Sequence, residues 1–251
     1  NLSIEFCYLF LLVYLYFLAL PIHLFSSYIM ASNSCVMEES SNNNSVLTTS
    51  EILRYSRQIL LPQFGIKGQK LLKSSSVLTV GSGGLGSPLL TYLAAAGIGK
   101  IGILDFDTVD LSNLHRQIIH STSTIGSNKT SSAQKRIQEI NPNCQVETYN
   151  IKINPTNALS IVDSYDYICD ASDNFPTRYL VNDACVILGK PLIYGSILQF
   201  EGQASVFNLT SNSPNFRDLL PSPPPSEMVP SCSEAGVLGV LPGLIGTIQA
   251  T

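Results

Sequence analysis

Between residues 77 and 207, short apolar runs alternate with stretches of helical periodicity. Residues 77–80 read as a buried strand running into a glycine turn, and residues 85–96 as an apolar helix. Residues 101–104 form a second apolar run, 129–140 an amphipathic helix closed by Asn141-Pro142, and 145–149 a third strand. The alternation continues with a helix over 155–162, a strand over 167–169, a helix over 176–188 and a strand over 192–194. Apolar runs of strand length separated by 3.6-residue periodicity predict an α/β fold. The expected architecture is a doubly wound, mostly parallel sheet of Rossmann-like type, with helices on both faces. Upstream, residues 51–73 read as helix interrupted at Leu61-Pro62-Gln63-Phe64-Gly65. Downstream of Gly202, residues 204–207 read as a strand, followed by a polar, proline-rich loop to about Cys232. Leu241, Leu244, Ile245 and Ile248 then fall on one helical face, and the pattern stops without a cap at Thr251, so the domain reads as truncated at its C-terminal end.

The N-terminal end has a different character. Residues 4–25 are apolar over a length that suits a membrane span. The chain begins at Asn1, however, and no Lys or Arg precedes the apolar run as in a signal peptide. Met30 opens a Ser- and Asn-rich stretch. Residues 1–29 therefore read as upstream or non-native sequence and residues 30–50 as a disordered leader, leaving 51–251 as the folded domain and no membrane role.

Composition narrows the class. The chain has 251 residues, 45% of them hydrophobic, enough for one sizeable core. A net charge of -4 argues against direct nucleic-acid binding, which needs a basic surface. The six cysteines include no CxxC pair, which fits free thiols in a reducing, cytoplasmic setting. Cys144, Cys169 and Cys185 lie in strand or helix patterns and are expected in the core.

The candidate chemistry starts at the glycine turn. Gly81, Gly83 and Gly86 fit G-x-G-x-x-G between a strand and a helix, where backbone N–H groups and the helix dipole receive an anion. Asp105, closing the second strand, stands where a carboxylate meets a ribose hydroxyl. To this point NAD, FAD and ATP all remain open. The stretch from Asp105 to His120 adds Asp107, Asn113, Arg116 and Gln117. Lys129 opens the next helix, and Asp173 and Asn174 follow the fourth strand. Loops after successive parallel strands gather at the carboxyl edge of the sheet. Two cations and a carboxylate there suit a triphosphate with Mg²⁺, with Asp173 as the metal carboxylate. Arg116 and Lys129 would neutralise charge at the α-phosphorus. His115 and His120 could tempt a metal or acid–base reading, but their neighbours point to loop packing.

Four segments carry a family likeness: RYSRQILLPQFGIKGQ, GSGGLGSPLLTYLAAAGIGKIGILDFDTVDLSNLHRQ, NDACVILGKPLIYGSILQFEGQ and CSEAGVLGVLPGLIGTIQA. Over roughly residues 51–250 the chain resembles the ThiF/MoeB family of ubiquitin-activating-type enzymes, most closely its eukaryotic branch serving molybdenum cofactor biosynthesis and tRNA thiolation. The resemblance implies an adenylyltransferase, in which ATP activates the C-terminal Gly-Gly carboxylate of a ubiquitin-like sulfur-carrier protein. It implies that Gly84, Asp105, the stretch Ser112, Asn113, Leu114, His115 and Arg116, and then Lys129, Asp173 and Asn174 hold ATP. It further implies that Arg57 reaches the ATP phosphates of the neighbouring subunit in a homodimer. Cys232, in PSCSEAG, matches the family's reactive cysteine.

One segment departs from the family. Where relatives carry PCYRC, half of a Cys₄ zinc site, this chain has Pro214-Asn215-Phe216-Arg217-Asp218, so zinc is not expected. The loss makes sulfur transfer by this chain doubtful and admits a second reading, an inactive scaffold that docks a ubiquitin-like partner. An NAD(P)-dependent oxidoreductase is a third, but it leaves Arg116, Lys129 and Asp173 unexplained.

Overall fold

A computed structural model describes residues 46–224 and 236–251. Three short helices open it: α1 (Thr49–Arg54), α2 (Ser56–Ile59) and α3 (Gly65–Ser74). α1 begins slightly ahead of residue 51 because Thr48 and Glu51 form a reciprocal capping box, which satisfies two of the helix's free N–H groups. Glu51 is buried and also pairs with Lys73 at 2.7 Å, which ties α1 to α3. The helix break falls at residues 60–64, as the Leu-Pro-Gln-Phe-Gly run predicts.

The alternation that follows is the expected one. β1 (Ser76–Val80), α4 (Gly86–Ala96), β2 (Lys100–Leu104), α5 (Lys129–Ile140), β3 (Gln145–Tyr149), α6 (Ala158–Asp163), β4 (Tyr167–Asp170), α7 (Phe175–Leu188), β5 (Leu192–Leu198) and β6 (Glu201–Phe207) succeed one another. A single sheet runs in the order β3-β2-β1-β4-β5-β6. Its neighbours are parallel except for the antiparallel β5–β6 pair. β1 and β2 are buried along nearly their whole length, as parallel strands covered on both faces must be. One core is built by α6 and α7 with residues such as Leu78, Ile168, Val181 and Leu192. The other gathers Leu89, Ile101, Ile103 and Ile137 under α4 and α5.

Further boundaries differ from expectation for reasons of side-chain bonding or strand pairing. The helix placed at 155–162 begins only at Ala158, because the Asn154 carboxamide accepts the N–H of Thr156 and of Asn157, at 2.9 and 3.2 Å, and holds that stretch as a turn. β5 runs on to Leu198 because it pairs with β6, a strand whose residues are exposed except for Phe207 and which therefore lacks a period-2 apolar signal.

α8 (Phe216–Leu219) and α9 (Leu241–Ala250) complete the described fold. α9 packs across α4, and Gly246 makes the approach possible: a Cβ there would lie 2.2 Å from the Leu85 carbonyl oxygen. From the same helix, the buried Gln249 donates to the Asp170 carbonyl at 2.8 Å, so α9 braces the end of β4. Cys144, Cys169 and Cys185 are free and buried, and burial pushes each thiol up to about 12. Among the described residues no helix is long and apolar enough to cross a membrane. The apolar run at 4–25, residues 30–45 of the expected leader, and Cys232 lie outside the described residues.

Candidate functional site

The chain leaves β1 for β2 and β3 on one side and later returns to β4 on the other. The carboxyl ends of β1 and β4 are therefore the point where strand order reverses, the usual ligand crevice of an open α/β sheet. A cleft of about 930 Å³, counted out to its open mouth, lies there. The glycine loop forms its floor. Gly81 has φ of +99°, and a Cβ on it would lie 2.7 Å from the Ala171 carbonyl oxygen. A Cβ on Gly86 would lie 2.2 Å from the oxygen of Gly81, so neither position accepts a side chain. At Gly83 the nearest atom to such a Cβ is the Gln117 amide nitrogen at 3.5 Å, and the loop lines the cleft. α4 starts at this loop; the Ser87 N–H donates to the Gly83 carbonyl at 2.9 Å and Pro88 has no N–H, so any N–H offered to a ligand comes from the loop ahead of the helix.

Asp105 holds the loop from beneath. Its Oδ2 accepts from the Ser82 amide at 2.8 Å and the Ser82 hydroxyl at 2.9 Å, and its Oδ1 accepts from the Asp107 amide at 2.9 Å. Lys129, only 7% exposed, donates to Asp107 Oδ2 at 2.8 Å and lines the same cleft. Arg116 enters from the loop after β2, with Nη1 donating to the Ser112 carbonyl at 3.1 Å. Lys152 and Arg178 bring two more cations. Arg178 is buried, donates to the Ser172 carbonyl at 3.3 Å and lies over the Tyr194 ring.

Several polar atoms here have no partner: Gln117 Oε1, Ser172 Oγ and Arg178 Nε are buried and unbonded. Orphaned buried polar groups are rare in folded proteins, and these three belong to residues that line the cleft. Behind them, burial raises the Asp170 carboxyl above the usual carboxylate range, with Arg178 acting in the opposite sense. Asp173 is exposed at the rim, with Oδ1 accepting from the Asn174 amide at 3.3 Å. Asn174 in turn caps α7 through the Thr177 N–H at 3.0 Å. No group of three or more His, Cys, Asp or Glu placed to hold a metal occurs among the described residues. A carboxylate such as that of Asp173 suits Mg²⁺, which takes one or two carboxylates together with phosphate oxygens.

The sequence model of the ThiF family matches residues 55–251. The chain belongs to the ThiF family. It is 51% identical over 208 residues to the adenylyltransferase and sulfurtransferase MOCS3 of Xenopus laevis, covering 83% of this chain and 46% of the relative. It is 52% identical over 207 residues to the sulfur carrier protein adenylyltransferase of Thermus thermophilus, covering 81% of this chain and 76% of that one. The chain thus spans about half the length of its MOCS3 relatives. Among solved structures, the Escherichia coli tRNA N6-threonylcarbamoyladenosine dehydratase TcdA in complex with ATP superposes with a TM-score of 0.57 at 29% identity, covering 59% of this chain and 61% of that one. PaaA superposes with a TM-score of 0.65 at 24% identity over 90% of this chain and 72% of its own, a likeness of fold.

In this ThiF-family chain Gly81, Gly83, Gly84, Asp105, Asp107, Arg116, Lys129, Asp173 and Asn174 all line one cleft. Gly86 lies beneath the loop and does not line it. Ser112 and Asn113 belong to a 3₁₀ turn (Leu111–Asn113), with Leu114 and His115 at its exit, and these four border the site without lining it. Ser112 reaches the cleft only through its carbonyl on Arg116. Arg57 is exposed on α2 and lines no part of the cleft. Gln117, one of the polar groups of the 105–120 stretch, lines the cleft, and so do Lys152, Ser172 and Arg178, which no motif marks. Lys152 had a usable signal, its place just past β3. Arg178 had none, because one Arg on an amphipathic helix looks like any other.

Proposed function

We propose that this chain is an ATP-dependent adenylyltransferase acting on the C-terminal glycine carboxylate of a small ubiquitin-like sulfur-carrier protein ending in Gly-Gly, for molybdenum cofactor biosynthesis and tRNA thiolation. The observation that carries the proposal is the gathering of Arg116, Lys129 and Asp173 around an open glycine loop at the switch point of the sheet, in a chain about half identical to a sulfur carrier protein adenylyltransferase. Residues 51–251 form the adenylation domain in this reading.

In the proposed reaction a carboxylate oxygen of the carrier attacks the α-phosphorus of ATP, pyrophosphate leaves and an acyl-adenylate remains. The loop N–H groups hold phosphate oxygens, and Asp105 braces the loop on the ribose side. Arg116 and Lys129 stabilise the negative charge that grows at the α-phosphoryl group, and the rigid loop positions the reactants. Lys129 is held by Asp107 before the nucleotide arrives, so its ammonium is already placed at the cleft. Asp173 would hold Mg²⁺ with the phosphates, and the ion supplies further charge neutralisation there.

A homodimer in which Arg57 completes the partner's phosphate site accords with the exposure of that side chain. A cytoplasmic location accords with free cysteines and no CxxC pair. Direct nucleic-acid binding is no part of the proposal, given the net charge of -4. Nor is zinc. Asn215 Oδ1 accepts from the Arg217 N–H at 2.8 Å, and Asp218 Oδ2 accepts from the Asn215 N–H at 2.8 Å, so the two positions form a helix-capping box instead of a thiolate pair.

Carrier-dependent ATP–pyrophosphate exchange tests the reading. Exchange that requires a carrier ending in Gly-Gly is the expected result; a folded protein that binds the carrier without exchange would favour the docking scaffold. Cys232 is proposed as the nucleophile that takes the acyl group from the adenylate. The Cys232→Ala variant should still support exchange but form no thioester; a thioester on the variant would make the thiol a spectator.

A further inference from the structure

We propose that His120 is a positioning residue that sets the direction of a phosphate-binding N–H in the glycine loop. The inference rests on the nucleotide reading of the cleft. His120 is buried, and its Nε2 lies 3.1 Å from the Ser82 carbonyl oxygen. A carbonyl only accepts, so Nε2 carries the proton. In the neutral ring Nδ1 is then the acceptor; the Ser132 hydroxyl, 2.9 Å from Nδ1 and 3.1 Å from Thr124 Oγ1, has one proton to share between the two. Burial, and after it the nearby Lys129 charge, holds the imidazole below the usual histidine range, which favours this neutral form, while the Ser82 carbonyl and Asp105 act the other way.

The Ser82 carbonyl and the Gly83 N–H belong to one planar trans peptide and point in opposite directions. Drawing the carbonyl inward onto His120 therefore turns the Gly83 N–H outward, on the side where Gly83 lines the cleft. The preceding peptide is fixed as well, because the Ser82 N–H donates to Asp105. Ser82 is fully buried, so its peptides are held from the protein side alone. Glycine at 83 offers little steric resistance to a flip of this peptide, so an external clamp has a task to perform. Ser132 lies one turn beyond Lys129 on α5. The same helix turn thus presents the cation to the cleft and supports the imidazole that orients the loop.

Binding of ATP with Mg²⁺ by the whole chain, measured by titration calorimetry alongside thermal melting, tests this in three proteins. His120→Gln keeps an amide donor near the position of Nε2, and His120→Leu removes it. His120→Leu is expected to weaken ATP binding about tenfold, the equivalent of one lost hydrogen bond. In the exchange assay it should raise KM for ATP by a similar factor and leave KM for the carrier unchanged, while His120→Gln stays within about threefold of wild type. Wild-type affinity in His120→Leu, or a Gln variant as weak as the Leu variant, overturns the positioning role. If His120→Leu does not fold, Ser132→Ala takes its place: it leaves the ring and removes its support, and unchanged ATP affinity there overturns the role equally. A wild-type chain that binds no ATP overturns the nucleotide reading itself, and this proposal with it.

Discussion

Asp173→Ala is expected to lower carrier-dependent ATP–pyrophosphate exchange by about 10²- to 10³-fold, the usual cost of losing one preorganised charge-stabilising element, here the Mg²⁺ that the carboxylate would hold. The carboxylate stands at the mouth of the cleft and among the described residues bonds only to the neighbouring Asn174 amide. Its loss therefore orphans no buried group, and the melting temperature should stay close to that of wild type. The α7 cap survives, because the Thr177 N–H is accepted by Asn174 and not by Asp173. A fall in exchange with an unchanged melt locates the defect in the reaction. Exchange retained near the wild-type rate would remove Asp173 from the metal-holding role and direct attention to Asp107, another cleft carboxylate.

The second large effect concerns stability. Phe216 is 2% exposed and packs against Tyr194, Tyr179 and Phe207, with ring centroids 5.1, 5.2 and 6.1 Å away. Its N–H donates to the Asn182 side chain at 2.8 Å, and the adjacent Arg217 grips Asp183 with two hydrogen bonds of 2.7 Å. These contacts fasten α8 to α7, β5 and β6, while the Asn215–Asp218 capping box closes the N-terminus of α8 itself. Phe216→Ala should cost about 3–5 kcal/mol through lost burial and the cavity left behind. That lowers the melting temperature on the order of 10 °C for a chain of this size. A strong zinc chelator should leave the wild-type melt unchanged, since Asn215 and Asp218 cap α8 where a zinc site needs a thiolate pair. A chelator-induced drop comparable to that of the Phe216 variant would show that a metal holds the segment after all.

Much of the fold is legible along the chain because its causes are local. The interruption at residues 60–64, the glycine turn after β1 and the stop at Asn141-Pro142 are encoded by neighbours in sequence. The start of α6 was misplaced even so, since Pro155 reads as a first-turn helix residue, and only the Asn154 side chain shows that it sits in a turn. β6 is legible in sequence only over residues 204–207; it begins at Glu201 by virtue of its antiparallel pairing with β5.

The candidate site divides in the same way. Glycines, carboxylates and cations of the ATP reading could be named from motif and spacing, and most of them line one cleft. Their partners could not be named. That Asp105 is engaged with Ser82, that Lys129 rests on Asp107 and that His120 reaches across to the Ser82 carbonyl are facts of loops meeting after different strands. The amino-acid sequence by itself determined the parallel α/β class, the phosphate loop and membership of the ThiF family, because these depend on short-range periodicity and a continuous motif. Only the tertiary structure decided which cleft residues carry buried, unbonded polar atoms, among them Gln117 Oε1 and Arg178 Nε. That outcome depends on strand order and helix rotation, which bring together residues far apart in the chain.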